Sequence, residues 1–268
     1  MITLIGINFR KLAFAGFLTS LLFNSIKLSA QEGWYFTSSV QFSGGSYVFD
    51  SYNRVFSVNG GLRYQNDFLG ITASVPLVSN NSNFSQASGM MLTTGNSGST
   101  SNSLQGMSWG IGDLYTYLDY KIIFDYETGI DVYANAQIKI PTASANMSFG
   151  TGKFDVGASL TLRKSLDSFV GIIDLGYLII GDPASVVYKD PLTYGIGLGK
   201  FFNYGEYSLL FYYTGYTTVI DGFDSPKQIS LGANYRLSDT IILSAIGSAG
   251  IGNTSPDFTL SGGVRVKL

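Results

Sequence analysis

"GIDVYANAQIKIP", residues 129–141, alternates between two kinds of side chain. Ile130, Val132, Ala134, Ala136, Ile138 and Ile140 fall on one side of an extended chain. Asp131, Tyr133, Asn135, Gln137 and Lys139 fall on the other. Successive side chains of a strand point to opposite faces, so the stretch reads as a two-faced strand. In a soluble sheet the apolar row would cover a core. In a membrane barrel it would meet lipid, and the charged row would line the interior.

The rest of the chain repeats the pattern. Alternating segments lie near 34–43, 53–66, 68–79, 108–123, 128–141, 153–165, 169–181, 191–202, 205–218, 226–237, 240–252 and 257–268. None carries a sustained helical period. Tight turns fall at 66–67, 124–127, 166–168, 203–204 and 238–239, and longer Ser/Gly/Asn-rich connections, including 80–107, fall between them. Short turns at one end and long loops at the other are how outer-membrane barrels are built. The segments are long enough to cross a bilayer on a tilt, whereas strands of soluble sheets run mostly to ~5–6 residues. Aromatics gather near both ends of the apolar rows: Phe56, Phe154, Tyr194, Tyr213 and Phe258 at one, Tyr64, Tyr120, Phe169, Tyr207 and Tyr235 at the other. That is the pattern of two interfacial girdles. The pattern predicts an all-β chain, a transmembrane antiparallel up-and-down β-barrel of about 12 strands.

Composition agrees and excludes much chemistry. Charged residues make up 13% of the chain, against the ~25% of soluble domains. There is no cysteine, hence no disulfide framework, and no histidine, so His-based acid/base work, Ser-His-Asp hydrolysis and His-ligated zinc are all absent. No enzyme and no cofactor are implied. The net charge of −2 shows no basic excess for nucleic acid. At the N-terminus, Arg10 and Lys11 precede the apolar run "LAFAGFLTSLLFNSI" and small residues up to Ala30. That reads as a secretory signal over 1–30, with a barrel over 31–268.

The opposite parity carries the candidate lumen residues. These are Asp113, Tyr115, Tyr117, Asp119 and Lys121, then Asp131, Tyr133, Asn135, Gln137 and Lys139, then Asp155 and Arg163, with Arg236 and Arg265 further on. Register counted across the 124–127 turn opposes Lys121 to Asp131 and Asp113 to Lys139. Register across the next loop opposes Lys139 to Asp155 and Asp131 to Arg163. Two charge-alternating rows result. They read either as a polar channel lining or as an interior ion-pair ladder that stiffens the wall. Their charges cancel, which predicts conductance indifferent to the sign of the ion.

"GIGDLYTYLDYKI" (110–122) and "IKIPTASANMSFGTGKFDVGASLTL" (138–162) resemble the bacterial outer-membrane family of the MetA pathway of phenol degradation. The resemblance rests on Gly110, Gly112 and Asp113; on Lys139, Pro141 and Thr142; on Gly150, Thr151 and Gly152; and on Asp155 and Gly157. Ala143 departs from the family's usual glycine. The resemblance covers about a fifth of the chain and implies a barrel related to channels for hydrophobic or aromatic compounds.

Near the C-terminus, Ser261, Gly263, Val266 and Leu268 resemble the terminal signal read by the barrel assembly machinery, although Leu268 replaces the usual aromatic. In the long loop, Phe84, Met90, Met91 and Leu92 are candidates for an inward constriction; the alternative is a polar outer loop. Asp221 and Asp224 fall short of the six or more oxygens calcium takes, so no metal is expected. The expected function is an outer-membrane channel, surrounded by lipid, for passive passage of small hydrophobic or aromatic solutes. The alternative is a closed structural or surface-contact barrel. The oligomeric state is left open.

Overall fold

A computed structural model describes residues 32–45, 52–80, 84–87, 90–93, 108–143, 150–182 and 187–268. The segment read as a secretory signal and most of loop 80–107 lie outside them. The strands are β1 (Gly33–Gly45), β2 (Asn53–Gln65), β3 (Leu69–Asn80), β4 (Phe84–Ala87), β5 (Met90–Thr93), β6 (Ser108–Ile111), β7 (Leu114–Asp125) and β8 (Ile130–Ile140). They continue as β9 (Asp155–Leu166), β10 (Phe169–Ile179), β11 (Leu192–Phe202), β12 (Tyr207–Tyr216), β13 (Lys227–Arg236), β14 (Ile241–Ile251) and β15 (Phe258–Lys267). β4 and β5 pair only with each other, as a small hairpin. β6 and β7 together form one wall strand, so the wall has twelve.

Each wall strand pairs antiparallel with its neighbours in sequence, and β15 pairs with β1. The sheet is therefore a closed barrel with no free edge, the arrangement that satisfies every backbone group in lipid. Leu268 N donates to Trp34 O (2.9 Å), so the last residue is still part of the seam. Following partner residues once round the wall returns to β1 displaced by about 14 residues, which tilts the strands by about 40°.

Alternation decides the faces. On β10 the exposed row is Phe169, Ile173, Leu175, Tyr177 and Ile179, while Val170, Ile172, Asp174 and Leu178 are buried. On β12, Leu209 and Phe211 are exposed, while Ser208, Leu210, Tyr212 and Thr214 are buried. The large apolar side chains thus stand mostly outside, the inverse of a soluble protein. The short turns are held locally. Asn66 Oδ1 accepts from Phe68 N and Leu69 N (2.9 and 2.8 Å). Asp125 Oδ1 accepts from Glu127 N and Thr128 N (3.0 and 3.3 Å). Such side-chain-to-backbone bonds let Asn and Asp close a turn without a sheet partner.

Among the described residues the wall breaks regularity in two places, and both matter to the lumen. Between β6 and β7, Gly112 lies against Pro76 of β3, and Gly112 N donates to Pro76 O (2.8 Å). Proline has no N–H to offer the ladder, and a Cβ on Gly112 would meet the Pro76 ring at 2.8 Å. The strand therefore steps here and leaves Asp113 at the break. The second irregularity lies between Lys121 and Ile123 of β7. Ile122 is the extra residue of a β-bulge.

The turn and the bulge together correct the expected register: the hairpin closes with Asp125 opposite Ile130, three residues from the counted pairing, and the bulge shifts it back by one. Lys121 is opposite Tyr133, not Asp131, and Asp131 is opposite Phe124. Lys139 is opposite Tyr115, not Asp113. Between β8 and β9, Lys139 is opposite Asp155 and Asp131 is opposite Arg163, as counted from the sequence.

Candidate functional site in the barrel lumen

The candidate lumen residues from the sequence occupy inward-facing positions, and they sort by height into three levels. At the long-loop end, Lys139 Nζ lies 2.8 Å from Asp155 Oδ2 and 3.8 Å from Asp113 Oδ2. All three side chains are fully removed from solvent. Lys139 Nζ also donates to Thr151 Oγ1 (2.7 Å). Ala143 N donates to Asp113 Oδ1 (3.0 Å), and Gly181 N donates to Asp155 Oδ1 (3.0 Å). The triad is thus tied to the ends of two loops, 141–154 and 180–191. Burying charges is tolerable only with this density of partners. The Asp113 contact survives the register shift because Asp113 sits at the step between β6 and β7, beside rather than opposite Lys139.

An apolar cluster lies at the same end, beside the triad. Leu178 of β10 and Tyr216 of β12 face inward and pack with Ile180, Tyr188 and Val219 from the loops. Lys189 N donates to Val219 O (2.7 Å), joining two of those loops. Burial pushes the Tyr188 hydroxyl up, with Asp155 and Asp182 adding to the shift. The phenol therefore stays neutral.

The middle level is crowded. Tyr117 of β7 and Tyr216 of β12 stand nearly opposite in the ring, yet line the same cavity, of about 30 Å³. That holds about two water molecules. Tyr115 and Tyr117 are stacked, with centroids 6.4 Å apart and planes 9° apart. Asn135 Nδ2 donates to Ser159 Oγ (3.1 Å) and Thr161 Oγ1 (2.9 Å), and Gln137 lines the cavity. Asp174, which interrupts an apolar stretch in the sequence, accepts from Thr161 Oγ1 and the Tyr212 hydroxyl. Tyr212 lies across Gly195 and Gly197, where a Cβ would run into its ring.

At the short-turn end Arg63 of β2 makes a bidentate pair with Asp119, at 2.9 and 3.0 Å, and also donates to Thr72 Oγ1 (2.9 Å). The planar guanidinium fork fits a carboxylate in this way. Arg163 lies over the Tyr133 ring (5.2 Å), as does Lys121 (5.6 Å), and Arg265 lies over Tyr35 (5.6 Å). Arg236 sits at the rim, donating to Tyr204 O (3.4 Å). Arg63 was legible as an inward position by parity, but nothing in the sequence paired it with Asp119. The inward row is also less polar than its charges suggest: Val170, Ile172, Leu210 and Ile246 face inward and pack with Phe201.

The middle of the lumen is lopsided. β7 to β10 and β12 carry most of the bulky side chains there, while Tyr35, Arg63, Ile246 and Arg265 are buried inward residues of the other strands. β1, β2, β14 and β15 present Thr37, Ser39, Gln41, Asn59, Gly61, Ser244, Ser248, Ser261 and Gly263, all half-buried. Ser261 and Gly263 of the terminal motif therefore face the lumen, while Val266 and Leu268 belong to the outward parity. The side chains of Phe84, Met90, Met91 and Leu92 lie outside the described residues. No group of three or more metal-ligating His, Cys, Asp or Glu side chains occurs among the described residues.

The fold has close counterparts. The COG4313 outer membrane channel from Pseudomonas putida F1 is similar at a TM-score of 0.66 and 14% identity, over 91% of this chain and 98% of that one. The KdgM porin, whose solved complex holds disordered oligogalacturonate, is similar at 0.52 and 8% identity, over 87% and 99%. The NanC porin is similar at 0.51 and 11%, over 87% and 100%. At these identities the likeness establishes an outer-membrane-type barrel fold. No protein-family model and no curated protein matches the sequence.

Proposed function

We propose that the chain is an outer-membrane channel for the passive passage of small, hydrophobic or aromatic solutes. The observation that carries this reading is the half-buried Ser/Thr/Asn/Gly face of β1, β2, β14 and β15. A wall that only had to be filled would carry bulky side chains there, as β7 and β12 do. Small hydroxyl-bearing residues leave space at mid-height on one side of the lumen. The fold shared with outer-membrane channels supports the reading, as do the Gly110–Asp113 and Lys139–Thr142 motifs of the phenol-degradation MetA family. In this reading residues 1–30 are removed on export. The outward apolar row meets outer-membrane lipid, and the C-terminal motif meets the assembly machinery. No cofactor and no catalytic group is required.

A second reading, a closed structural barrel, is favoured by the small size, about 30 Å³, of the cavity that Tyr117 and Tyr216 both line. Planar-bilayer recordings decide between them. Discrete conductance steps from the purified, folded barrel support the channel. Silence under conditions where a general porin conducts supports the closed barrel.

A further inference from the structure

The Lys139–Asp155–Asp113 triad has a geometry that charge balance alone does not require. Two carboxylates share one amine, and none of the three side chains is exposed to solvent. A pair built only for neutrality points an N–H along its acceptor oxygen. Here Lys139 Nζ directs its hydrogen bond to Thr151 Oγ1 (2.7 Å). It stands 2.8 Å from Asp155 Oδ2, yet among the described residues that oxygen accepts no hydrogen bond. The contact is close without being aligned.

The carboxyl carbon lies one bond length beyond Oδ2, so the nitrogen is within about 4 Å of it. Reacting atoms poised for attack stand ~3–3.5 Å apart, and holding them so is worth an effective concentration on the order of 10⁵ M or more. The fold fixes both partners. Lys139 and Asp155 are cross-strand partners on β8 and β9, and Gly181 N holds Asp155 Oδ1 (3.0 Å). Ala143 N holds Asp113 Oδ1 (3.0 Å), while Asp113 Oδ2 accepts no hydrogen bond among the described residues and lies 3.8 Å from Nζ. Gly150 roofs this carboxylate, since a Cβ there would stand 2.7 and 2.8 Å from its two oxygens.

We propose that Lys139 and Asp155 form an intramolecular amide, with Asp113 as the proton relay. Asp113 Oδ2 takes a proton from the Lys139 ammonium and passes it to Asp155, so that a neutral amine meets a neutral carboxyl. The amine adds to the Asp155 carboxyl carbon. Asp113 then moves a second proton from the nitrogen to the departing oxygen. An Nζ–Cγ bond forms, a Cγ–O bond breaks and one water leaves. Ammonium plus carboxylate gives amide plus water, so no oxidant or further reactant is needed. The ion pair is the reactant and must be discharged first, so the bond forms slowly, after folding. The link ties β8 to β9 at the outer end and closes loop 141–154 into a covalent ring. It is independent of whether the lumen conducts.

The test follows the purified, folded full-length barrel in detergent at physiological temperature over days. The expected result is loss of one water from the intact mass in a growing fraction of chains. Trypsin then releases residues 122–153 joined to residues 154–163, because an acylated Lys139 is no longer cleaved. Asp113→Asn slows the linking by about a hundredfold or more, the scale of general acid–base catalysis. Asp155→Ala abolishes it, and Asp155→Asn yields the same joined peptides with loss of ammonia in place of water. Folding of each variant is followed by heat-modifiable gel mobility. An aged, folded wild-type barrel that gives only the separate peptides 122–139, 140–153 and 154–163 overturns the proposal. So does a water loss that maps to ring closure at another aspartate. Linking at an equal rate in folded Asp113→Asn overturns the relay. The wild-type measurement stands whether or not the variants fold.

Discussion

Lys139 Nζ lies 2.8 Å from Asp155 Oδ2, and neither side chain is touched by solvent. The pair joins neighbouring strands, and Asp113 stands 3.8 Å away on the step in the next one. Three consecutive wall strands are thus locked at the loop end by one ammonium group.

Lys139→Met leaves two carboxylates buried without their cation, and should destabilise the barrel by about 3–5 kcal/mol. Urea unfolding of the barrel in detergent, read by tryptophan fluorescence, measures it. The triple change Asp113→Asn, Lys139→Met and Asp155→Asn should recover most of the loss, since no unpaired charge remains.

The inverted faces give a neighbouring-residue test. Ala245 is exposed on the outer wall and Ser244 faces the lumen. Ala245→Arg should cost about 2–4 kcal/mol near the bilayer midplane, while Ser244→Arg should cost much less. The same unfolding assay in lipid vesicles ranks them. Equal costs would contradict the assignment of faces.

Tyr212→Phe removes one of the two hydroxyls that Asp174 accepts from. Leaving a buried carboxylate under-bonded should cost about 1–3 kcal/mol. Gly195→Val should give a comparable or larger loss, because its side chain would displace the Tyr212 ring. Thermal gel-shift midpoints of the two variants and their combination show whether they act through one contact.

The Arg63–Asp119 fork projects into the lumen from strands that are not neighbours, β2 and β7. Truncating both to alanine should widen the short-turn end and raise single-channel conductance by about twofold, without the penalty of one orphaned charge. Single-channel recording gives the ratio directly.

Much of this architecture was legible in the chain. "GIDVYANAQIKIP" has a period of two, and a period of two fixes which residues share a face wherever the strand goes. Twelve such stretches, separated by alternating short and long connections, determined the strand number, the antiparallel order and the outward placement of the apolar rows. The sequence also determined that Asp131, Lys139, Asp155 and Arg163 face inward together. Only the tertiary structure decided who meets whom. The hairpin closes with Asp125 opposite Ile130, and that closure with the bulge at Ile122 puts Lys121 opposite Tyr133 rather than Asp131. The step at Gly112, imposed by Pro76, let Asp113 reach Lys139 from beside it. Glycines on the strand between set Arg63 against Asp119 over Gly70 of β3, and Tyr212 against Asp174 over Gly195 of β11. Alternation is a local property, whereas register accumulates over every turn and bulge, and contacts across a lumen exist only once the ring has closed.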